Sequence, residues 1–403
     1  MAGGAVTLPP GVASRVPAEL RERLSALRRD LHRRPELAFE ERGTQERLRA
    51  ELAALGLAEV RDVAGTGLLV RIPGRGGGRR PPAVVVRGDI DALPILEATG
   101  APFASEVPGR MHACGHDIHA SWAVGAAALL ATEPAAGDAL VLLQPAEETA
   151  GGAAAVLASG ALEGAGAVFG GHVDLRFEVG QVVAQAGPLA ASADSFRIEL
   201  LGSGAHGARP HEGRDPVVGG AALVTALQTI VSRRLSPGTP AVVTVGSFHA
   251  GTAPNVIPER AALAGTLRAL DPAVRAALLL ELEGIARAVA GAYGLEALVE
   301  LGDGTPPLVN PELGTAWARA AATRVLGEAA LRPLGFTNLG GEDFARYLER
   351  FPGCFLRIGA RLPGEPVVPA HSPRFLPADE AVAVGAAVLA ECARLASAEL
   401  ARE

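Results

Sequence analysis

A chain of 403 residues can bury a large core and exceeds the usual span of one domain, so two domains are expected. Its net charge of −7, with 49% apolar and 20% charged residues, describes an ordinary globular chain with no general electrostatic attraction for nucleic acid. All 37 basic residues are arginine, which excludes a P-loop, a lysine Schiff base and a carbamylated-lysine metal bridge.

Cys114, Cys354 and Cys392 are too few and too scattered for a disulfide framework, so a reducing cytoplasm is the expected compartment. The N-terminal stretch has neither the basic nor the apolar region of a secretory signal, and none is expected. The longest apolar stretches, such as 381–390, are too short for a membrane span, so no membrane association is expected.

Residues 18–34 read as a helix stopped by Pro35. Its arginines, Arg28, Arg29, Arg33 and Arg34, read as a solvated face, and His32 as structural. A second helix over 43–55, a strand over 67–72 and a Gly/Arg/Pro loop over 73–82 follow. An apolar run at 83–86 then ends in Asp89 and Asp91, and after a loop Cys114, His116, Asp117 and His119 open a helix that continues to 130. A strand over 139–144 ends in Glu147 and Glu148, a small-residue helix covers 150–158, and another strand leads to His172 and Asp174. This rhythm implies an α/β sheet with helices on both faces. Thiolate, imidazole and carboxylate bind borderline-soft divalent metals, and here they cluster at strand ends, where open α/β sheets place their ligands.

From about residue 187 the pattern changes. Phe196, Ile198 and Leu200 alternate with Arg197 and Glu199, the mark of a half-exposed antiparallel strand. A helix (216–234), strands (241–248 and 261–267), a helix (272–292) and a strand (295–301) complete the order β-α-β-β-α-β of a ferredoxin-like unit. The turn-rich GDGTPP returns the chain to α/β character, with two more polar clusters, GGEDF (340–344) and HSP (371–373). The expected division is a first domain over 1–187, an insert over 188–303, and the first domain resumed over 304–403.

Amide hydrolysis needs a nucleophile, a Lewis acid for the carbonyl and a base that returns a proton to the leaving amine. Two metals roughly 3.5–4 Å apart that share a hydroxide supply the first two. A glutamate that is not a ligand supplies the third, and adjacent Glu147 and Glu148 suit that division. Surface charges capping the next helix are the alternative, disfavoured by Cys114, His116 and His172 on neighbouring strand ends.

Together GDIDALP, MHACGHD, QPAEE, GGHVD, GAHGARPH, APNVIP, GGEDF and HSPRF resemble the M20 metallopeptidases, and most closely their amidohydrolase branch, from about residue 31 to 389. The resemblance implies an α/β metallohydrolase catalytic domain with an inserted ferredoxin-like lid and dimerisation domain. It implies two divalent metal ions per subunit, Zn2+ or Mn2+ with Co2+ or Ni2+ as alternatives, held by Cys114, His116, Glu148, His172 and His371. Glu147 would be the general base and Cys114 the bridging ligand. Asp89 stands where most of the wider family has a histidine ligand, so Asp89 and Asp91 are expected behind the ligands, orienting them. His119 is expected to pack rather than to bind metal.

In the insert, the resemblance has His206 reach the partner subunit's site and polarise the scissile carbonyl, while Asn255 and Arg268 hold the substrate's α-carboxylate. A homodimer acting on N-acyl amino acids or small peptides with a free carboxylate is implied, with a tetramer as the alternative assembly. GGHVDLRFEVG and GSGAHG depart slightly from the family pattern, at positions that shape the pocket. Two rival readings are a Cys114 nucleophile with His116 as its base and a non-catalytic metal-binding dimer.

Overall fold

The computed structural model describes residues 8–76 and 81–402. The first seven residues of the N-terminal stretch, the part of the Gly/Arg/Pro loop at 77–80, and residue 403 lie outside the described residues. Contacts divide the chain into one unit of residues 1–187, 310–335 and 346–403 and a second of residues 188–309 and 336–345.

In the first unit the chain runs through α1 (Pro10–Ala13), α2 (Ala18–Arg33), α3 (Arg42–Ala54), β1 (Val60–Val63), β2 (Gly67–Ile72), β3 (Ala83–Asp89), α4 (His116–Thr132), β4 (Ala139–Gln144), α5 (Gly152–Ala158), β5 (Ala165–Glu178) and β6 (Val182–Val183). β7 (Gly187–Ala190) leads into the second unit, which holds β8 (Asp194–Leu201), β9 (Ala205–His206), α6 (Pro216–Leu227), β10 (Ala241–Ala250), β11 (Val256–Ile257), β12 (Arg260–Ala269), α7 (Pro272–Ala292) and β13 (Glu296–Leu301). β14 (Leu308–Asn310), α8 (Glu312–Leu326), α9 (Ala345–Leu348), β15 (Gly353–Arg361) and α10 (Glu380–Leu400) complete the chain.

The first unit is built on a seven-stranded sheet of order β1-β2-β4-β3-β5-β15-β6. Its centre, β4-β3-β5-β15, is parallel, and antiparallel partners close both edges. From β3 the chain crosses through α4 to β4 on one side, then through α5 back to β5 on the other. The strand order therefore reverses at β3, and the crevice beyond its carboxyl end is where such sheets bind ligands. α4 is buried along almost its whole length, as a helix apolar all round must be. Small residues let it pack closely: a Cβ on Gly385 of α10 would come within 2.2 Å of the Trp122 ring.

The second unit has its own core and a four-stranded sheet of order β10-β12-β8-β13, antiparallel throughout. With α6 and α7 this is the ferredoxin-like arrangement. Phe196, Ile198 and Leu200 of β8 face the core while Ser195 and Arg197 are exposed, as their alternation requires. Asp215 and Asp271 cap α6 and α7, each accepting two backbone N–H groups just ahead of a proline at the first helical position. The helix expected over 216–234 stops at Leu227 and gives way to a five-residue π-turn at Ile230–Arg234.

The solvated arginine face expected on α2 is wrong for Arg28. Its side chain is fully buried, with Nε 2.8 Å from Asp117 Oδ2 and Nη1 2.9 Å from Asp379 Oδ1. His32, one turn on, is also buried, its Nδ1 2.8 Å from the same Asp117 oxygen and Nε2 3.3 Å from Glu97. Burial alone would raise the Asp117 carboxyl, but the charges of Arg28 and His32 hold it far below the usual range. This cluster ties α2 to the first turn of α4 and, through Asp379, to the start of α10. Arg28→Met leaves Asp117 buried without its cation and should cost about 3–5 kcal/mol in urea unfolding, with part recovered by adding Asp117→Asn. Wild-type stability in the single variant would show that the cluster contributes nothing.

Candidate metal centre

Two strand ends, one strand interior, one loop and one helix start deliver the polar side chains. Asp91 follows β3, Glu147 and Glu148 follow β4, His172 lies on β5, His371 follows β15, and Cys114 and His116 begin α4. Gly115 lies between that cysteine and histidine at φ +92°, and a Cβ there would sit 2.4 Å from Val173 Cγ2. Only glycine meets both demands.

The donor atoms form overlapping triplets, each with every member within 4.8 Å of the others: Cys114, His116 and His172; Cys114, Glu148 and His371; and His116, Glu147 and Glu148. Cys114 belongs to the first two. His172 Nδ1–H donates to the Val173 carbonyl at 2.7 Å, which makes Nε2 a lone-pair site, 3.1 Å from Cys114 Sγ. His116 turns Nδ1 to Asp91 Oδ1 at 3.2 Å and leaves Nε2 buried without a hydrogen-bond partner among the described residues. Glu148 Oε1 is likewise buried and unpartnered, 3.8 Å from His116 Nε2 and 3.5 Å from His371 Nε2. A buried polar atom left unpaired costs about 1–3 kcal/mol, and here two of them converge beside a thiol. Nitrogen, sulfur and carboxylate donors in this arrangement fit a pair of divalent cations, with both histidines oriented from behind.

The electrostatics agree. Burial and the neighbouring Glu148 charge push the Cys114 thiol well up. Burial works against a charged His116, but Asp89 and Asp91 raise it well above the ordinary histidine value. Binding of a cation by these two groups would therefore displace protons. A thiol held protonated by burial is also a poor nucleophile, which argues against the cysteine-nucleophile reading.

Other candidate groups are already engaged. His119 Nε2 accepts the Val173 N–H at 3.0 Å, so its proton is on Nδ1, which donates to Asp89 Oδ1 at 2.6 Å; the ring stacks on Trp122 at 4.5 Å. Asp89 Oδ2 accepts from Arg87. Asp89 and His119 also approach His116 closely, but their donor atoms are spent on each other, on Arg87 and on the backbone. Asp174 accepts from the backbone and guanidinium of Arg176, and Asp117 faces Arg28.

The turn carrying the two glutamates is held from several sides. Glu148 N–H donates to Asp91 Oδ2 at 3.0 Å, Ala150 N–H to the Glu147 carbonyl at 2.8 Å and Gly152 N–H to the Ala146 carbonyl at 3.0 Å. Ala146 takes φ +54° and His371 φ +66°, left-handed conformations that cost a residue with a Cβ about 1–2 kcal/mol each. Ala146 N–H donates to Glu41 Oε1 at 2.9 Å. Sequence reasoning missed Glu41, because nothing separates it there from Glu40 as one of two surface charges. Glu147 Oε2 lies 3.9 Å from His116 Nε2.

In the second unit His206 is exposed on β9, which pairs with β11, and Gly207 N–H donates to the carbonyl of exposed Asn255 at 2.8 Å. His206 and Asn255 are thus neighbours. Arg268, half-buried on β12, pairs in register with Val242.

Residues 85–395 match the family described as Peptidase family M20/M25/M40. The chain is 41% identical to N-acetyl-L-cysteine deacetylase of Bacillus subtilis over 343 residues, 84% of this chain and 81% of that protein. It is 33% identical to thermostable carboxypeptidase 2 of Saccharolobus solfataricus over 91% of this chain and 94% of that one. A crystal structure of the Bacillus subtilis YXEP protein, a dinuclear metal binding peptidase from the M20 family, superposes with a TM-score of 0.82 at 34% identity, covering 96% of this chain and 99% of that chain. Family match, close relatives and a set of metal-type donors gathered at the switch point of the sheet agree: the chain belongs to peptidase family M20/M25/M40 and is a metal-dependent hydrolase of amide carbon–nitrogen bonds.

Proposed function

We propose that the chain hydrolyses N-acyl amino acids, with small peptides carrying a free carboxylate as the neighbouring class. The observation that carries this reading is the Glu147–Glu148 pair. One glutamate offers a buried, unpartnered oxygen toward two histidines, and the other stands beside it within 4 Å of His116. In this reading Cys114, His116, Glu148, His172 and His371 hold two divalent cations, Zn2+ or Mn2+ with Co2+ or Ni2+ as alternatives. When bound, these supply Lewis acidity for the carbonyl and lower the pKa of water. Glu147 takes the proton from the attacking water and returns it to the leaving nitrogen. Asp91 and Asp89 keep the imidazoles oriented, Asp91 through His116 Nδ1 and Asp89 through His119.

The substrate class draws support from the relative at 41% identity, named for deacetylating N-acetyl-L-cysteine; the carboxypeptidase at 33% keeps peptides in view. We assign the α-carboxylate to Asn255 and Arg268, and the carbonyl oxygen in the partner subunit of a homodimer to His206. For His206, support comes from its exposure and from its Nδ1, which accepts Ala208 N–H at 3.0 Å and so leaves Nε2–H as the donor. A cytoplasmic location suits a site that needs Cys114 reduced, beside two other free thiols.

Glu147→Gln should leave metal content near wild type while kcat falls roughly a hundredfold or more. The assay is a panel of N-acetyl and N-benzoyl amino acids, their amides and dipeptides. Equal loss of metal and rate would make Glu147 a ligand instead, and wild-type turnover would sink the base assignment.

Cys114→Ser should weaken metal binding, because a hydroxyl is a poor substitute for a thiolate. In the unsubstituted enzyme a thiol reagent should inactivate the metal-stripped form faster than the loaded one. Equal rates would mean that the sulfur is not a ligand.

Homodimers of His206→Ala and of Glu147→Gln should each be nearly inactive. Unfolding and re-annealing equal amounts makes about half heterodimers with one complete site each, so roughly a quarter of wild-type activity should return. A mixture as inactive as its parents, with subunit exchange confirmed, would confine His206 to its own subunit or remove it from catalysis.

A further inference from the structure

We propose that Glu41 is a positioning residue for the turn that carries Glu147 and Glu148, an inference that rests on reading those two as base and ligand. Glu41 is fully buried at the start of α3, far in sequence from every candidate ligand. One carboxyl oxygen accepts the Thr66 hydroxyl at 2.5 Å and the other accepts Ala146 N–H at 2.9 Å. Ala146 is the residue immediately before Glu147, and it is held in a left-handed conformation that its Cβ disfavours. Its carbonyl is taken by Gly152 N–H, and a Cβ on Gly152 would lie 1.8 Å from the Pro145 carbonyl oxygen.

The peptide planes on both sides of Ala146 are therefore set by specific partners, and on the N–H side that partner is a side chain. Remove it and a buried N–H loses its acceptor. The turn can then relieve both the orphaned donor and the unfavourable φ by rotating Ala146 toward a right-handed or extended conformation. That rotation swings Glu147 away from His116 and draws Glu148 off the point it shares with His371. Glu41 touches neither substrate nor metal in this account; it acts through the backbone of Ala146.

The test uses the full-length protein, with Zn2+ titrated into the metal-stripped form and kcat measured at saturating metal on the best substrate of the panel. Glu41→Gln keeps a carbonyl acceptor for Ala146 N–H, and the Thr66 hydroxyl can accept from its amide, so Kd and kcat should stay within about threefold of wild type. Glu41→Ala should weaken Zn2+ binding about tenfold and lower kcat by at least as much, as loss of a group behind a ligand does. In the Ala146→Gly background the Glu41→Ala losses should shrink at least threefold, because glycine adopts the left-handed conformation without the Cβ penalty.

If Glu41→Ala does not fold, Glu41→Asp replaces it with the same expected signs, its carboxyl falling short of Ala146. A variant that lowers Tm but keeps wild-type Zn2+ affinity and kcat would overturn the proposal. So would losses of equal size in the two backgrounds, or a Gln variant as impaired as the Ala variant. The Zn2+ titrations need no substrate, so they stand even if the base assignment of Glu147 fails in its own experiment.

Discussion

The carboxylate of Asp91 joins three of the segments that make the site. It is buried, and each oxygen takes one partner: Oδ1 the Nδ1 of His116, Oδ2 the backbone N–H of Glu148. The end of β3, the first turn of α4 and the turn after β4 are thereby locked to one point. His116 Nε2 and Glu148 Oε1 cannot then turn back to satisfy themselves elsewhere. In a low-dielectric interior such fixed, unpartnered atoms are costly, and a cation is the partner that their chemistry suits.

The fold makes that arrangement possible by geometry rather than by affinity. Because the strand order reverses at β3, the turn after β4 and the stretch of β5 that continues past its pairing with β3 flank the end of β3 and bring Glu148 and His172 to the same crevice. α4 starts at that crevice with no room for a side chain at Gly115, so Cys114 and His116 approach β5 as closely as backbone allows. The Arg28–Asp117–His32 cluster ties the first turn of the helix to α2, and His119, stacked on Trp122, ties it to Asp89 and the Val173 backbone. Strained backbone occurs at Ala146, immediately before the two glutamates, and at His371 itself, a placement expected where surrounding contacts overdetermine a local conformation.

Several features were legible without coordinates because their signals are local or periodic. The near-continuous apolar run of β3, the alternation along β8 and the Asp-Pro starts of α6 and α7 each report their element within a few residues. The donor atoms of the five expected ligand positions lie together in the structure. Charged residues were read less well. Arg28 sits among arginines that do face solvent, and Glu41 beside an exposed Glu40, so no pattern in either stretch separates the buried charge from its neighbours.

By itself the sequence determined which residue types stand at the ends of which elements, and hence the α/β layout, the inserted ferredoxin-like unit and the stock of metal-type donors. These follow from side-chain chemistry and from periods of two and 3.6 residues. Only the tertiary structure decided which donors are spent. Asp89 and His119 satisfy each other, Asp117 answers Arg28, Asp174 answers Arg176, and His116 Nε2 and Glu148 Oε1 are left over. The reason is physical: a donor's availability depends on what else lies within hydrogen-bond reach, and those partners come from segments as distant as α2, Val173 and Arg176, which meet only once the sheet is assembled.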